Sequence, residues 1–165
     1  MATPLDELVE YKNQIVNLIE NSQDIMSLLV GTQDIDMNSN EVYAAYDKQI
    51  FDYSFIMDTQ LTEAVFLLIE TETRRRATST CKDMEVFIQV ICHKDSMKLT
   101  GFKGVKGNRR DNLSRQIAKL LEGSRHFGIG ELQLTECYAV NVPSPYSSTM
   151  LVFKTPEFAR GRNSK

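Results

Sequence analysis

The chain has 165 residues, of which 42% are hydrophobic and 25% are charged, and its formal net charge is −3. This length and composition predict one globular domain over residues 1–165, which buries about 70% of the surface of its unfolded chain. The acidic balance argues against a general nucleic-acid binder coated in positive charge. We expect no signal peptide, because the N-terminus shows no basic region followed by an apolar run. We expect no membrane partner, because no apolar stretch is long enough to cross a bilayer.

The N-terminal region predicts two helices. The first covers residues 3–22, where a threonine cap and a proline at the first helical position mark the start and apolar residues share one face. The second is predicted over residues 23–30 and ends at Gly31. The polar stretch 32–47 then predicts a long loop. A tyrosine pair three residues apart within that stretch leaves a short helical turn as the alternative.

The middle of the chain predicts three strands. Residues 50–57 are rich in aromatic and β-branched side chains, and residues 64–71 are a nearly continuous apolar run. Residues 84–93 alternate, which predicts two distinct faces. The polar residues 72–83 between the last two strands predict the loop of a long β-hairpin.

A fourth amphipathic segment predicts a helix that begins near Arg109, after Asn108 as its N-cap, and ends at Gly123. Asp111 and Arg115 are four residues apart on this helix and are expected to form an ion pair. Two closing strands are predicted over residues 132–140 and 149–154, joined by a turn at residues 143–145, and residues 160–165 predict a disordered tail. The element order predicts an α+β fold with an antiparallel sheet, a long β-hairpin and helices packed on one face.

Two basic groups are candidate contact sites. Arg74, Arg75 and Arg76 are predicted at the hairpin tip, where they could meet nucleic-acid phosphates or an acidic partner, or simply be solvated. The second group combines the glycine-rich loop GFKGVKG with the start of the following helix. Its basic residues are Lys103, Lys106, Arg109 and Arg110.

Backbone N–H groups of such a glycine-rich loop at a helix N-terminus can hold an anion. Residues Gly104–Gly107 match the GXXG loop with which KH modules clamp nucleic-acid backbone, although that module also needs a helix before the loop. A solvated flexible loop is the competing interpretation.

The residues predict no enzyme, no bound metal and no cofactor. Cys92 and His93 are adjacent on a strand and therefore point to opposite faces, and His126 stands alone. Neither histidine has the partner spacing of a zinc site, although folding could still bring Cys92 to His126 or His93 to Cys137. Glu70 and Glu72 share a strand face, which a solvated strand end explains fully. Three widely spaced cysteines give no disulfide framework and favour a reduced intracellular compartment.

Four stretches resemble a family of small neck proteins from tailed bacteriophages, the tail-terminator or head–tail joining group. They are IFDYSFIMDTQLTEAVFLLIE at residues 50–70, KDMEVFIQVICHKDSM at residues 82–97, NRRDNLSRQIAKLLEGSRHFGIGELQL at residues 108–134 and YSSTMLVFKTPEF at residues 146–158. Together they cover the last two thirds of the chain in the expected order. The shared features are structural rather than catalytic.

The resemblance implies a virion structural protein, made and assembled in the bacterial cytoplasm, that forms a homo-oligomeric ring, commonly a hexamer. Such a ring caps the tail tube protein and docks on the head connector or stopper protein. On this reading residues 72–83 and 32–47 contact neighbours or the tube, and the two basic groups face genomic DNA in a lumen. The alternative is a small nucleic-acid-binding module that uses the Gly104–Gly107 loop.

Overall fold

The computed structural model describes residues 4–54, 64–76, 82–125 and 131–155. The described helices are α1 (Pro4–Glu20), α2 (Gln23–Val30), α3 (Asn40–Lys48) and α4 (Arg109–Leu121), and the strands are β1 (Ile50–Phe51), β2 (Val65–Arg76), β3 (Lys82–His93), β4 (Gln133–Val140) and β5 (Tyr146–Lys154). The predicted α+β class is therefore confirmed. None of the helices in these ranges has the length and apolarity to span a membrane.

The first two helices form where the sequence predicts them. The Ser22 side chain accepts a hydrogen bond from the Ile25 N–H at 3.4 Å and starts α2. Gly31 ends α2 with φ +91°, a left-handed conformation that favours glycine. The expected N-cap of α1 and the expected tail at residues 160–165 lie outside the described residues.

The second half of the predicted loop 32–47 is instead helix α3, so the helical alternative is confirmed there. Ser39 caps this helix by accepting a hydrogen bond from the Val42 N–H at 3.4 Å. Tyr43 and Tyr46 pack edge to face with ring centroids 6.0 Å apart, and the Tyr46 hydroxyl donates to the Glu20 carbonyl at 3.2 Å. Burial of Val42 and Ala45, with α3 packed on α2 and β1, thus overrides the polar composition of this stretch.

The sheet has the strand order β1-β2-β3-β5-β4. All neighbouring pairs are antiparallel except β1, which runs parallel to β2, so the prediction of a wholly antiparallel sheet is wrong at that edge. The hairpin of β2 and β3 is paired from Val65↔Cys92 to Arg76↔Lys82. Residues 72–76 and 82–83, predicted as hairpin loop, therefore extend the two strands, and residues 77–81 lie outside the described ranges.

The predicted strand 50–57 is ordered as a strand only at the two residues of β1, and the part from residue 55 lies outside the described ranges. β5 begins at Tyr146, three residues earlier than predicted, because it follows directly from the turn in which the Tyr146 N–H donates to the Pro143 carbonyl at 3.1 Å. The Ser144–Pro145 peptide bond in this turn is cis.

The main core lies between the helices and one face of the sheet, which confirms that the helices pack on one face. Its fully buried members include Ile15, Ile19, Leu29, Leu113 and Ile117 from helices, and Leu67, Ile69, Val86, Ile88, Val90 and Cys92 from the two long strands. The alternation along β3 places these side chains as the sequence predicts. A second, smaller cluster on the opposite sheet face contains Phe66, Leu68 and Ile91.

Candidate assembly surfaces

The start of α4 is held by Arg109, which packs into the body of the domain. Its backbone N–H donates to the Met97 carbonyl at 2.8 Å. A Cβ added at Gly31 would lie 3.0 Å from the Arg109 Nη2 atom, so the guanidinium covers the C-terminal end of α2. Cations are favoured there because the last carbonyls of a helix carry partial negative charge. Burial lowers the pKa of Arg109 from its ordinary value.

Arg110 joins α4 to the sheet. Its Nη1 donates to the Ser147 hydroxyl on β5, and its Nη2 lies 3.2 Å from the Asp111 carboxylate. The Asp111 carboxylate also accepts from the Asn108 amide at 2.8 Å, while the Asn108 Oδ1 caps the helix. The expected pair between Asp111 and Arg115 is replaced by these contacts, because Arg110 is already fixed beside that carboxylate.

The glycine-rich loop between β3 and α4 is tied to its surroundings. The Lys103 N–H donates to Gln33 Oε1 at 2.8 Å, and the Lys103 carbonyl accepts from Gln33 Nε2 at 3.1 Å. The Lys106 carbonyl accepts from the Asn112 amide at 2.9 Å. The side chains of both lysines are exposed. Before this loop the chain forms only a three-residue 3-10 helix, Lys94–Ser96, which is shorter than the helix of a KH module.

The two basic groups lie at opposite ends of the long strands β2 and β3. Arg110 contacts β5 at Ser147, which is paired with Cys92 near the start of the hairpin ladder. Residues 74–76 are at the other end of that ladder. At about 3.3 Å per strand residue, the ten steps from Val65 to Arg75 span about 30 Å. The fold therefore does not gather these arginines into one patch.

The buried Cys92 and its neighbour His93 face opposite sides of the sheet, as predicted. Desolvation raises the pKa of the Cys92 thiol to about 11, against the opposing effect of Arg109 and Arg110, so it is neutral at physiological pH. His93 Nδ1 accepts from the Asp95 N–H at 3.1 Å, and its ring packs edge to face on Tyr146 at 5.1 Å. Across the described ranges no group of three or more potential metal ligands occurs, and His126 lies outside them.

The acidic pair of β2 is partly engaged in structure. The Glu70 carboxylate accepts from Lys12 Nζ at 2.9 Å and from the Ser54 N–H at 2.8 Å. Lys12 also donates to the Asp52 carbonyl at 2.8 Å. These bonds hold α1 and the segment after β1 against β2, which gives Glu70 a structural role.

The sequence interpretation missed the outer edge of β4. This strand ends the sheet, and within the described residues no strand lies beyond it. Glu136 and Cys137 are exposed, and Tyr138 is 46% exposed. Natural edge strands are commonly protected by lysine or proline, and β4 contains neither, although it has a bulge at Leu134/Glu136. The absence of lysine and proline from β4 is visible in the sequence but becomes informative only once the strand order is known.

A family model described as YomW matches residues 21–155, which is 155 − 21 + 1 = 135 of the 165 residues. Among solved structures, a chain from the virion of a native gene transfer agent (GTA) particle has a similar fold, with a TM-score of 0.51 and 13% sequence identity. That alignment covers 87% of this chain and 90% of the other. At this identity the likeness concerns the fold alone. No curated protein matches the chain.

Proposed function

This chain belongs to YomW, a phage-associated family, and we propose that it is a virion structural protein of the neck that forms a ring, of six copies, at the end of the tail. The ring caps the tail tube protein and docks on the head connector or stopper protein, after synthesis and assembly in the bacterial cytoplasm. The observation that carries the proposal is the common fold with a chain of a virion particle over 87% of this chain.

A structural rather than an enzymatic role fits the polar groups of the domain. Among the described residues that sequence reasoning weighed for chemistry, Cys92 is a buried neutral thiol and His93 caps the following turn. Glu70 is bound by Lys12. The activity we assign is therefore the presentation of complementary surfaces to identical subunits and to other virion proteins.

Contact with genomic DNA in the lumen of the ring is a separate part of the proposal. Arg109 and Arg110 are anchored within the domain, whereas the side chains of Lys103 and Lys106 are exposed on a loop tied in place through its backbone. We assign the non-specific phosphate contact chiefly to these two lysines. Such contacts weaken as salt rises.

The test is the mass of the purified full chain by light scattering over a concentration series, with and without purified tail tube protein, followed by negative-stain imaging. A closed ring of about six subunits is expected, either alone or on the tube. A strict monomer under all of these conditions contradicts the proposal. Salt-sensitive binding of short DNA by that monomer, lost in a Lys103→Ser, Lys106→Ser variant, favours the nucleic-acid-binding module instead.

A further inference from the structure

We propose that the outer edge of β4 in one copy pairs antiparallel with residues 73–76 of β2 in the next copy, so that the sheet continues from subunit to subunit. This inference rests on the proposed ring and specifies which surfaces meet. A ring of identical subunits needs two different surfaces that fit each other head to tail. The two edges of the sheet, at β4 and at residues 73–76 of β2, are two such surfaces.

Residues 73–76 of β2 and the outer side of β4 each offer backbone groups at an edge of the sheet. Strand β1 pairs with β2 only at Leu67 and Leu68, so among the described strands none lies beside residues 73–76 on that side. At the other end, β4 has its inner side on β5 and its outer side exposed. Unpaired N–H and C=O groups along a strand edge are a template for pairing with another chain.

Strand direction favours this pairing over a symmetric one. The successive antiparallel pairs β2 with β3, β3 with β5 and β5 with β4 make β4 run opposite to β2 within a subunit. A copy rotated about an axis along the strands therefore brings its β2 beside β4 as an antiparallel neighbour, the more stable ladder. Pairing of β4 with a second β4 would instead give a closed two-fold dimer with no further growth.

Side-chain faces and charge select the register. Thr73 is opposite Met84 and Cys137 is opposite Leu151, and both partners belong to the helix-side core, so Thr73 and Cys137 lie on the same sheet face. Placing these two residues opposite each other sets Arg74 opposite Glu136 in the register, and Glu136 is an exposed carboxylate in a strand with no basic residue. A slip of two residues in one direction would set Glu136 opposite Glu72, and like charges directly opposite are destabilising.

The register predicts a specific covalent link. Opposite residues in an antiparallel pair have Cα atoms about 4.5–5.5 Å apart, within the range for a disulfide. Cys137 is an exposed free thiol, and Thr73 is half-buried. Its hydroxyl oxygen is buried and has no hydrogen-bond partner within the described part of the chain, so a thiol there removes no described bond. The variant is Thr73→Cys in a Cys81→Ser background, and the matched control is Glu10→Cys, at an exposed position of α1.

Mild oxidation of the assembled Thr73→Cys ring, followed by non-reducing electrophoresis, should give a ladder of covalent oligomers up to six subunits. The Glu10→Cys control should give at most a weak dimer band. Covalent species that stop at the dimer in both variants would indicate pairing of two β4 strands through Cys137 and would overturn the head-to-tail arrangement.

Charge reversal tests the same contact without cysteine chemistry. Glu136→Arg should lower the fraction of chains in rings at least tenfold. Replacement of Arg74, Arg75 and Arg76 by glutamate in the same variant should restore it. Glu10→Arg makes the same change of charge on α1 and should leave the ring intact. If rings form but neither the disulfide ladder nor the charge effect appears, the edge pairing is overturned while the proposed function stands. If the unaltered chain forms no ring even with tail tube protein, the proposed function fails.

Discussion

The two groups of arginines look alike in the sequence and differ in the structure. The Arg109 guanidinium lies against Gly31 and holds α4 to α2, while Arg110 donates to the Ser147 hydroxyl and holds α4 to β5. The run at residues 74–76 stands about 30 Å away, on the extended arm of the hairpin. The charges of Arg109 and Arg110 thus join elements of the fold, and a cluster of charge in a sequence does not by itself indicate a surface function.

The largest expected effect on stability comes from a substitution beside the anchored group, Arg109 and Arg110. Gly31→Val should lower the free energy of unfolding by about 2–3 kcal/mol, because a β-branched residue at φ +91° is strained and its Cβ would lie 3.0 Å from Arg109 Nη2. The control is Gly104→Val, at φ +74° with no atom within 4 Å of the added Cβ, which should suffer the backbone strain alone. Urea unfolding measures both, and equal losses would show that Arg109 does not pack tightly on Gly31.

A pH titration tests how deeply the sheet residue beside the anchored arginines is buried. The folded pKa of Cys92, about 11, lies above the ordinary value for a thiol, 9.0, which the unfolded chain is expected to have. The contribution of the buried neutral thiol to the free energy of unfolding is complete below the unfolded pKa. It is lost as the pH rises towards the folded pKa. The stability of the wild type relative to Cys92→Val should fall by about 2 kcal/mol between pH 8 and pH 11. A difference that does not vary with pH would mean that the thiol is hydrated.

Arg110→Ala should cost about 1–2 kcal/mol, since it removes charge-assisted bonds to Ser147 and Asp111. Ser147→Ala, alone and combined with Arg110→Ala, completes a double-mutant cycle in chemical unfolding. A coupling of about 1 kcal/mol is expected. Additive losses would show that the arginine stabilises α4 without the sheet.

The smallest effect on stability, and the sharpest contrast, belongs to the hairpin arm. We expect replacement of Arg74, Arg75 and Arg76 by serine to change the free energy of unfolding by no more than about 0.5 kcal/mol, because the sequence predicts that these residues lie at the hairpin tip, away from the core. The same variant should lose ring assembly and infectivity. Wild-type phage yield, or a stability loss as large as that of Arg110→Ala, would remove the distinction between the two groups.

Local signals in the sequence predicted much of the fold. Caps such as Asn108 and stops such as Gly31 act over one helical turn, and the two-residue alternation of β3 directly reports its buried face. The errors fell where distant contacts decide. Helix α3 forms because Val42 and Ala45 are buried, and β2 extends through polar residues because β3 continues beside it.

The candidate surfaces were harder to predict for the same reason. The charges of Arg109 and Arg110 were visible in the sequence, but their partners Gly31 and Ser147 come from other parts of the chain. An edge strand can be recognised only after the strand order is known, since β4 has the same alternation whether it is central or terminal. The residues that β4 lacks become informative only in that context.

The register of the sheet has a geometric consequence for any ring in which β4 of one subunit pairs with β2 of the next. Within one subunit the register Cys137↔Leu151, Leu151↔Ile88 and Ile88↔Ile69 sets Cys137 level with Ile69. If Cys137 pairs instead with Thr73 of the neighbour, each subunit is shifted along the strand direction by four residues, about 13 Å. The four strands β2, β3, β5 and β4 of each subunit span about 19 Å across the sheet. A ring that closes flat absorbs this stagger only if its strands incline by about 35° to the axis, which is the tilt found in closed β-barrels.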